Sequence, residues 1–68
     1  MEISARNQLR GRVTAISFGG VMAEVHIQVG QNEVVAVITR ASVETLGIGV
    51  GDEAVAIIKA TAVMVGKP

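Results

Sequence analysis

The chain contains no cysteine, no tryptophan and no tyrosine, and a single phenylalanine, Phe18, supplies all of its aromatic character. Without cysteine there is no disulfide, and with one histidine, His26, there is no thiolate–imidazole set to complete a tetrahedral zinc site. Six basic residues balance six acidic ones. Zero net charge gives no general attraction to nucleic acid or anionic lipid, so any anion site must be local. No apolar run approaches the roughly 20 residues of a membrane span, and Met1-Glu2-Ile3-Ser4 has no basic region followed by an apolar stretch. A cytoplasmic location, with no membrane partner, is the expectation.

Sixty-eight residues sit at the lower edge of what one hydrophobic core can hold together, so a single domain over 1–68 is expected. Chains this short commonly need disulfides, metal or partners to offset the entropy of ordering. The first two are excluded, which leaves self-association. Half of the residues are apolar, mainly Val, Ile and Ala, although so small a chain is mostly surface. Part of that surface must be covered by aliphatic contacts between copies.

The pattern of the apolar residues reads as strands. Residues 9–17 put Leu9, Val13 and Ala15 on one parity and Arg10, Arg12, Thr14 and Ile16 on the other. Gly19-Gly20, a pair free to adopt positive φ, predicts a turn into a second strand over 21–29. There Val21, Ala23, Val25, Ile27 and Val29 alternate with Met22, Glu24, His26 and Gln28, so one face is core and one is wet. Gly30-Gln31-Asn32 predicts another turn. Residues 33–39 and 53–59 carry apolar residues on both parities and are expected to be buried on both faces. Ser42 to Leu46 fits a short helix, with Thr39 or Ser42 near its start and Gly47 as a left-handed cap. Residues 62–65 (AVMV) predict a last short strand. The sum is an all-β fold, a small OB-like Greek-key barrel of four to five strands with one short helix.

Catalysis is excluded largely by subtraction. A nucleophile would have to be a serine, threonine or lysine, and the only imidazole to activate it is His26 on the wet parity of a strand. Gly47-x-Gly49-x-Gly51 shares only its glycines with a phosphate loop, and reads as a turn. An OB-type nucleic-acid binder needs stacking aromatics and a basic groove, and the chain has neither. Binding a small oxyanion requires less: a fixed cation, hydroxyls and backbone N–H groups converging on a dry pocket. Three segments offer them: Ser4-Ala5-Arg6-Asn7, Thr39-Arg40-Ala41-Ser42 at the start of the helix, and Lys59-Ala60-Thr61. Taken singly, each also reads as a helix cap, a snorkelling lysine or a surface arginine.

Taken together they form a pattern. Ser4-Ala5-Arg6-Asn7-Gln8-Leu9-x-Gly11 with Ile58-Lys59-Ala60-Thr61, and between them Val37-Ile38-Thr39, Ser42-Val43, Leu46-Gly47 and Gly51, resemble the Mop domain of the molbindins over the whole chain. The resemblance implies an OB-like barrel assembled as a homohexamer, a trimer of dimers, with molybdate or tungstate held in pockets between subunits. Carried over by motif position, Ser4, Arg6, Thr39, Ser42, Lys59 and Ala60 are the implied pocket residues. Backbone amides near the first hairpin add Val21 or Met22, and Thr61 is included by adjacency. Oxyanion storage or homeostasis, without catalysis, is the implied function, and a chain starting at methionine with nothing fused favours a free storage protein over a regulatory module. The alternatives are an OB-type nucleic-acid binder and a structural oligomer without ligand.

Overall fold

The computed structural model describes all 68 residues. Strands β1 (Asn7–Phe18), β2 (Met22–Val29) and β3 (Asn32–Thr39) run consecutively, α1 (Arg40–Leu46) follows, β4 (Glu53–Ile58) comes next, and a 3-10 turn spans Ala60–Ala62. The four strands form one antiparallel sheet in the order β3-β2-β1-β4. Three hairpin-linked strands and a fourth that returns beside the first make a Greek key. The sheet curls into a half-barrel whose outer strands, β3 and β4, keep open edges.

β1 is the hinge of this arrangement. Its first half, Asn7 to Arg12, pairs with Ile58 to Glu53 of β4, and its second half, Arg12 to Phe18, pairs with Gln28 to Ala23 of β2. Two features let one strand serve both neighbours. Gly11 packs so closely on β2 that a Cβ there would run into the Gln28 carbonyl oxygen and Ile27 Cγ2. A bulge then inserts Thr14 between the Val13–Ile27 and Ala15–His26 pairs, which bends and twists the strand. At the bulge the backbone of Val13 bonds to the loop before β4 instead: Val13 N donates to Asp52 O at 2.9 Å and Gly51 N to Val13 O at 2.8 Å.

The core lies on one face of the sheet. Val13, Ala23, Val25, Ile27 and Ala56 are buried there, α1 covers them with Val43, and Ile16, Val29, Val34, Ile38, Ile48 and Ala54 pack around them. The helix is held at both ends. Thr39 caps it, its hydroxyl accepting from Ser42 N at 3.0 Å, and Gly47 ends it at φ 66°, donating to Val43 and Glu44 carbonyls. This left-handed position favours glycine, as expected.

Several expectations need correction. The bulge reverses the parity of β1, so Ile16 packs on the core while Ala15 faces out. Neither Gly19 nor Gly20 has positive φ; that conformation occurs at Gly30, in the next turn. Val21, expected on the core face, is 75% exposed because β2 begins one residue later. β3 and β4 are covered on one face only: Val35, Val37 and Ile57 are 51%, 61% and 40% exposed. Residues 62–65 form no strand, because the Ala60–Ala62 turn carries the chain away from β4, leaving Met64 and Val65 open to solvent. Apolar β-branched residues mark a segment that can pair, but pairing requires an edge within reach.

The chain exposes 5325 Å2 of surface. A compact monomer of this mass exposes about 4,000 Å2. The surplus is roughly 1,300 Å2.

Candidate functional site

The nine residues singled out in the sequence fall into two groups. The first stands where β1 begins and β4 ends. Asn7 pairs with Ile58, and its side-chain amide also donates to the Ile58 carbonyl at 3.2 Å. Gln8 Nε2 turns back to the Ala5 carbonyl at 2.7 Å. Asn7 and Gln8 of the motif therefore shape the strand's start, with Ser4 and Arg6 just before β1 and Lys59, Ala60 and Thr61 just after β4, where Asn7 pairs with Ile58. Arg6 and Lys59 are both exposed and neither forms an ion pair or hydrogen bond within the chain, unlike Arg10, which pairs with Glu53 at 3.1 Å. The amides of Ala60 and Thr61, opening the 3-10 turn, also donate to nothing. Two neighbouring cations, free amides and hydroxyls with no internal partner form a donor set with no acceptor.

The second group stands where β2 begins and β3 ends. Met22 pairs with Thr39. The Thr39 and Ser42 hydroxyls lie 2.7 Å apart, so both take part in the helix cap while each keeps spare hydrogen-bonding capacity. The Gly20 and Val21 amides, in the turn between β1 and β2, donate to no group in the chain. The helix offers fewer free amides than expected, since Arg40 N donates to Val21 O at 2.8 Å and Ser42 N to Thr39. A shallow depression of about 360 Å3 at this place is lined by Gly20, Val21, Thr39, Arg40, Ala41 and Glu44. Met22 contributes here through its backbone alone; its side chain lines a separate depression beside Phe18 and Val37.

The length of β1 separates the two groups. Twelve residues of strand span up to roughly 36 Å at about 3.3 Å per step, comparable to the 35 Å long axis of the molecule. The two groups therefore stand toward opposite ends of β1.

Arg40 was not singled out from the sequence within the segment Thr39-Arg40-Ala41-Ser42. Its guanidinium stacks on Phe18, 4.8 Å from the ring centroid, and donates to the Gly19 carbonyl at 2.7 Å. The other missed constellation is on the outer face of β2 and β3. His26 is bonded on both ring nitrogens, Nε2 to Glu24 at 2.7 Å and Nδ1 to Glu33 at 2.5 Å. These bonds, Glu33 first and Glu24 second, raise its pKa above the ordinary 6.5. No group of three or more acidic, histidine or cysteine side chains is arranged to hold a metal ion. The Gly47–Gly51 loop is a turn as read: Asp52 closes it, its carboxylate accepting from Gly49 N at 2.8 Å.

Comparison with known proteins matches residues 3–65 to the TOBE domain. A probable molybdenum-pterin-binding protein of Haemophilus influenzae is 54% identical over 67 residues, 97% of each chain. Among solved structures, a molybdate-binding protein of Sporomusa ovata superposes with a TM-score of 0.93 at 42% identity, over 98% of this chain and 100% of that one. The cytoplasmic molybdate-binding protein ModG, crystallised with molybdate bound, superposes with a TM-score of 0.93 at 39% identity, over 100% of this chain and 49% of that one. With sequence motif, topology and full-length similarity in agreement, the chain belongs to the TOBE-domain family and, within it, to the molbindins.

Proposed function

We propose that this protein binds molybdate, and tungstate in the same way, in pockets formed between copies of itself, and serves as a cytoplasmic store that buffers the free anion. The observation that carries the reading is the division of unpaired donors into two half-sets that no single chain unites. Arg6 and Lys59 bring charge from one subunit, with the Ser4 hydroxyl and the Ala60 and Thr61 amides. Thr39, Ser42 and the hairpin amides at Val21 and Met22 come from another. Surplus apolar surface on β3, β4 and the C-terminal segment supplies the contacts that hold the copies together, as a homohexamer built from three dimers.

The physics asks only for binding. A tetrahedral dianion is held by charge-assisted hydrogen bonds worth about 1.5–3 kcal/mol each, so four or five reach the roughly 8 kcal/mol of a micromolar Kd. The proposed role is carriage of the anion rather than chemistry on it. Selection of molybdate over sulfate, of equal charge and shape, rests on the size of the assembled pocket.

The test is isothermal titration of the purified protein with molybdate, its mass measured by light scattering in the same buffer. Saturable heat from an assembly of six chains is the expected result, with tungstate equivalent and equimolar sulfate unable to compete. A well-folded oligomer that gives no heat overturns the proposal and leaves a structural assembly without ligand.

A further inference from the structure

Arg40 makes three interactions, and all of them end on the turn between β1 and β2. Its backbone N–H donates to Val21 O at 2.8 Å, its guanidinium donates to Gly19 O at 2.7 Å, and its guanidinium carbon stands over the Phe18 ring, 4.8 Å from the centroid. The turn itself has little to hold it. It contains two consecutive glycines, a Cβ at Gly20 would touch nothing, and one backbone bond, Gly19 N to Met22 O at 2.9 Å, closes it. Glycine pairs lose more conformational freedom on ordering than any other residues. A turn with one closing bond would spread over many conformations without an outside restraint.

What Arg40 restrains is specific. The Gly19 carbonyl and the Gly20 N–H belong to one planar trans peptide unit, so they point in opposite directions. Fixing the carbonyl toward the guanidinium fixes the amide away from it. The Val21 carbonyl and the Met22 N–H are related in the same way through the backbone bond from Arg40. The Gly20 amide is free of any partner in the chain, and Gly20 lines the depression that Val21, Thr39, Arg40, Ala41 and Glu44 complete.

We infer that Arg40 is the positioning residue of the hairpin half-set: it clamps the Gly19–Gly20 peptide against Phe18 so that the turn amides are aimed before the anion arrives. This rests on the anion-binding reading above. One of the guanidinium's five N–H donors is committed to Gly19 O, and the role inferred for it is to act through the peptide it holds rather than by contacting the anion. Prepaying the ordering of a ligand-facing loop appears as affinity.

The experiment compares wild type, Arg40→Ala, Arg40→Lys and Phe18→Leu in two measurements. In anion-free protein, amide relaxation by NMR reads the order of Gly20 and Val21; in titration, molybdate reads affinity. The wild-type turn is expected to be rigid, with an order parameter of about 0.85, falling below roughly 0.6 in Arg40→Ala. Molybdate binding is expected to weaken about tenfold at unchanged oligomer mass. Arg40→Lys keeps the charge and loses the planar fork, so it should match Arg40→Ala, with Phe18→Leu between. A lysine variant that binds as wild type would make the effect one of charge and overturn the inference, as would a Gly20 amide that stays rigid in Arg40→Ala. Should wild type itself give no heat with molybdate, the functional reading fails while the relaxation data still decide whether Arg40 orders the turn.

Discussion

Replacing Gly11 with alanine tests how β1 serves two neighbours. In an ordinary strand this change helps by roughly 0.5–1 kcal/mol, because alanine has less backbone freedom to lose. Here the added methyl would meet the Gln28 carbonyl oxygen, with Ile27 Cγ2 at 2.8 Å and Gln28 C at 3.0 Å. The obstacle is backbone. It cannot rotate away as a long side chain would, since Gln28 is held in the β2–β3 ladder opposite Glu33 and the β1 ladder opposite Arg12. Overpacking of this kind costs about 1–3 kcal/mol, and even after the propensity gain the net sign is destabilising. A net loss of about 1 kcal/mol lowers the Tm of a domain this size by roughly 4–8 °C. Thermal unfolding followed by far-ultraviolet circular dichroism, at one fixed protomer concentration because assembly contributes to apparent stability, measures it. A Gly11→Ala protein as stable as wild type, or more so, would refute the close approach of β1 to β2 and the curl that follows from it.

Three further outcomes are expected. Arg6→Ala should abolish molybdate binding in the titration while light scattering shows unchanged mass, because the arginine has no partner within the chain; normal binding by this variant would remove Arg6 from the site. Thr39→Ala removes the cap bond to Ser42 N and should cost about 1 kcal/mol, read as a Tm drop of roughly 4–8 °C that Thr39→Ser largely restores. Hydrogen bonds to Glu33 and then Glu24 favour the protonated form of His26 and raise its pKa above 6.5, so its stabilisation is present below the unfolded value near pH 6.5 and is lost as pH rises through the raised value. The Tm of wild type should fall between pH 6 and pH 8 more than that of His26→Gln, and superimposable pH profiles would contradict the histidine–carboxylate pairing.

The parts of the fold legible in the sequence are those where one physical cause dominates. β2 reads cleanly because Ala23, Val25 and Ile27 meet core while Glu24, His26 and Gln28 meet water. The helix reads because Thr39 and Gly47 carry the chemistry of its two ends. The bulge at Thr14 does not read, since a threonine between Val13 and Ala15 fits an unbroken strand equally well, and only the demands of two neighbouring strands force it out. Valines at 63 and 65 announce an appetite for pairing without saying which edge is in reach. The motif residues at both chain ends were named through the resemblance to the Mop domain, on segments that lie together in sequence. Arg40 on Phe18, and Glu33 on His26, were not: both contacts cross a hairpin, and they exist only once the register brings His26 opposite Val35 and Glu33 opposite Gln28.

The spacing of the two half-sets along β1 has a consequence for genetics as well as for chemistry. A chain damaged at Arg6 keeps its hairpin donors intact, and a chain damaged at Thr39 keeps its terminal cations. Where such chains meet as neighbours, one of the two orientations brings the sound half of each together. Two alleles, each silent alone, would then restore one another when expressed in the same cell. Under the proposed interface pocket, a strand that holds the halves apart in every copy would make anion binding a property of pairs of molecules, inherited jointly.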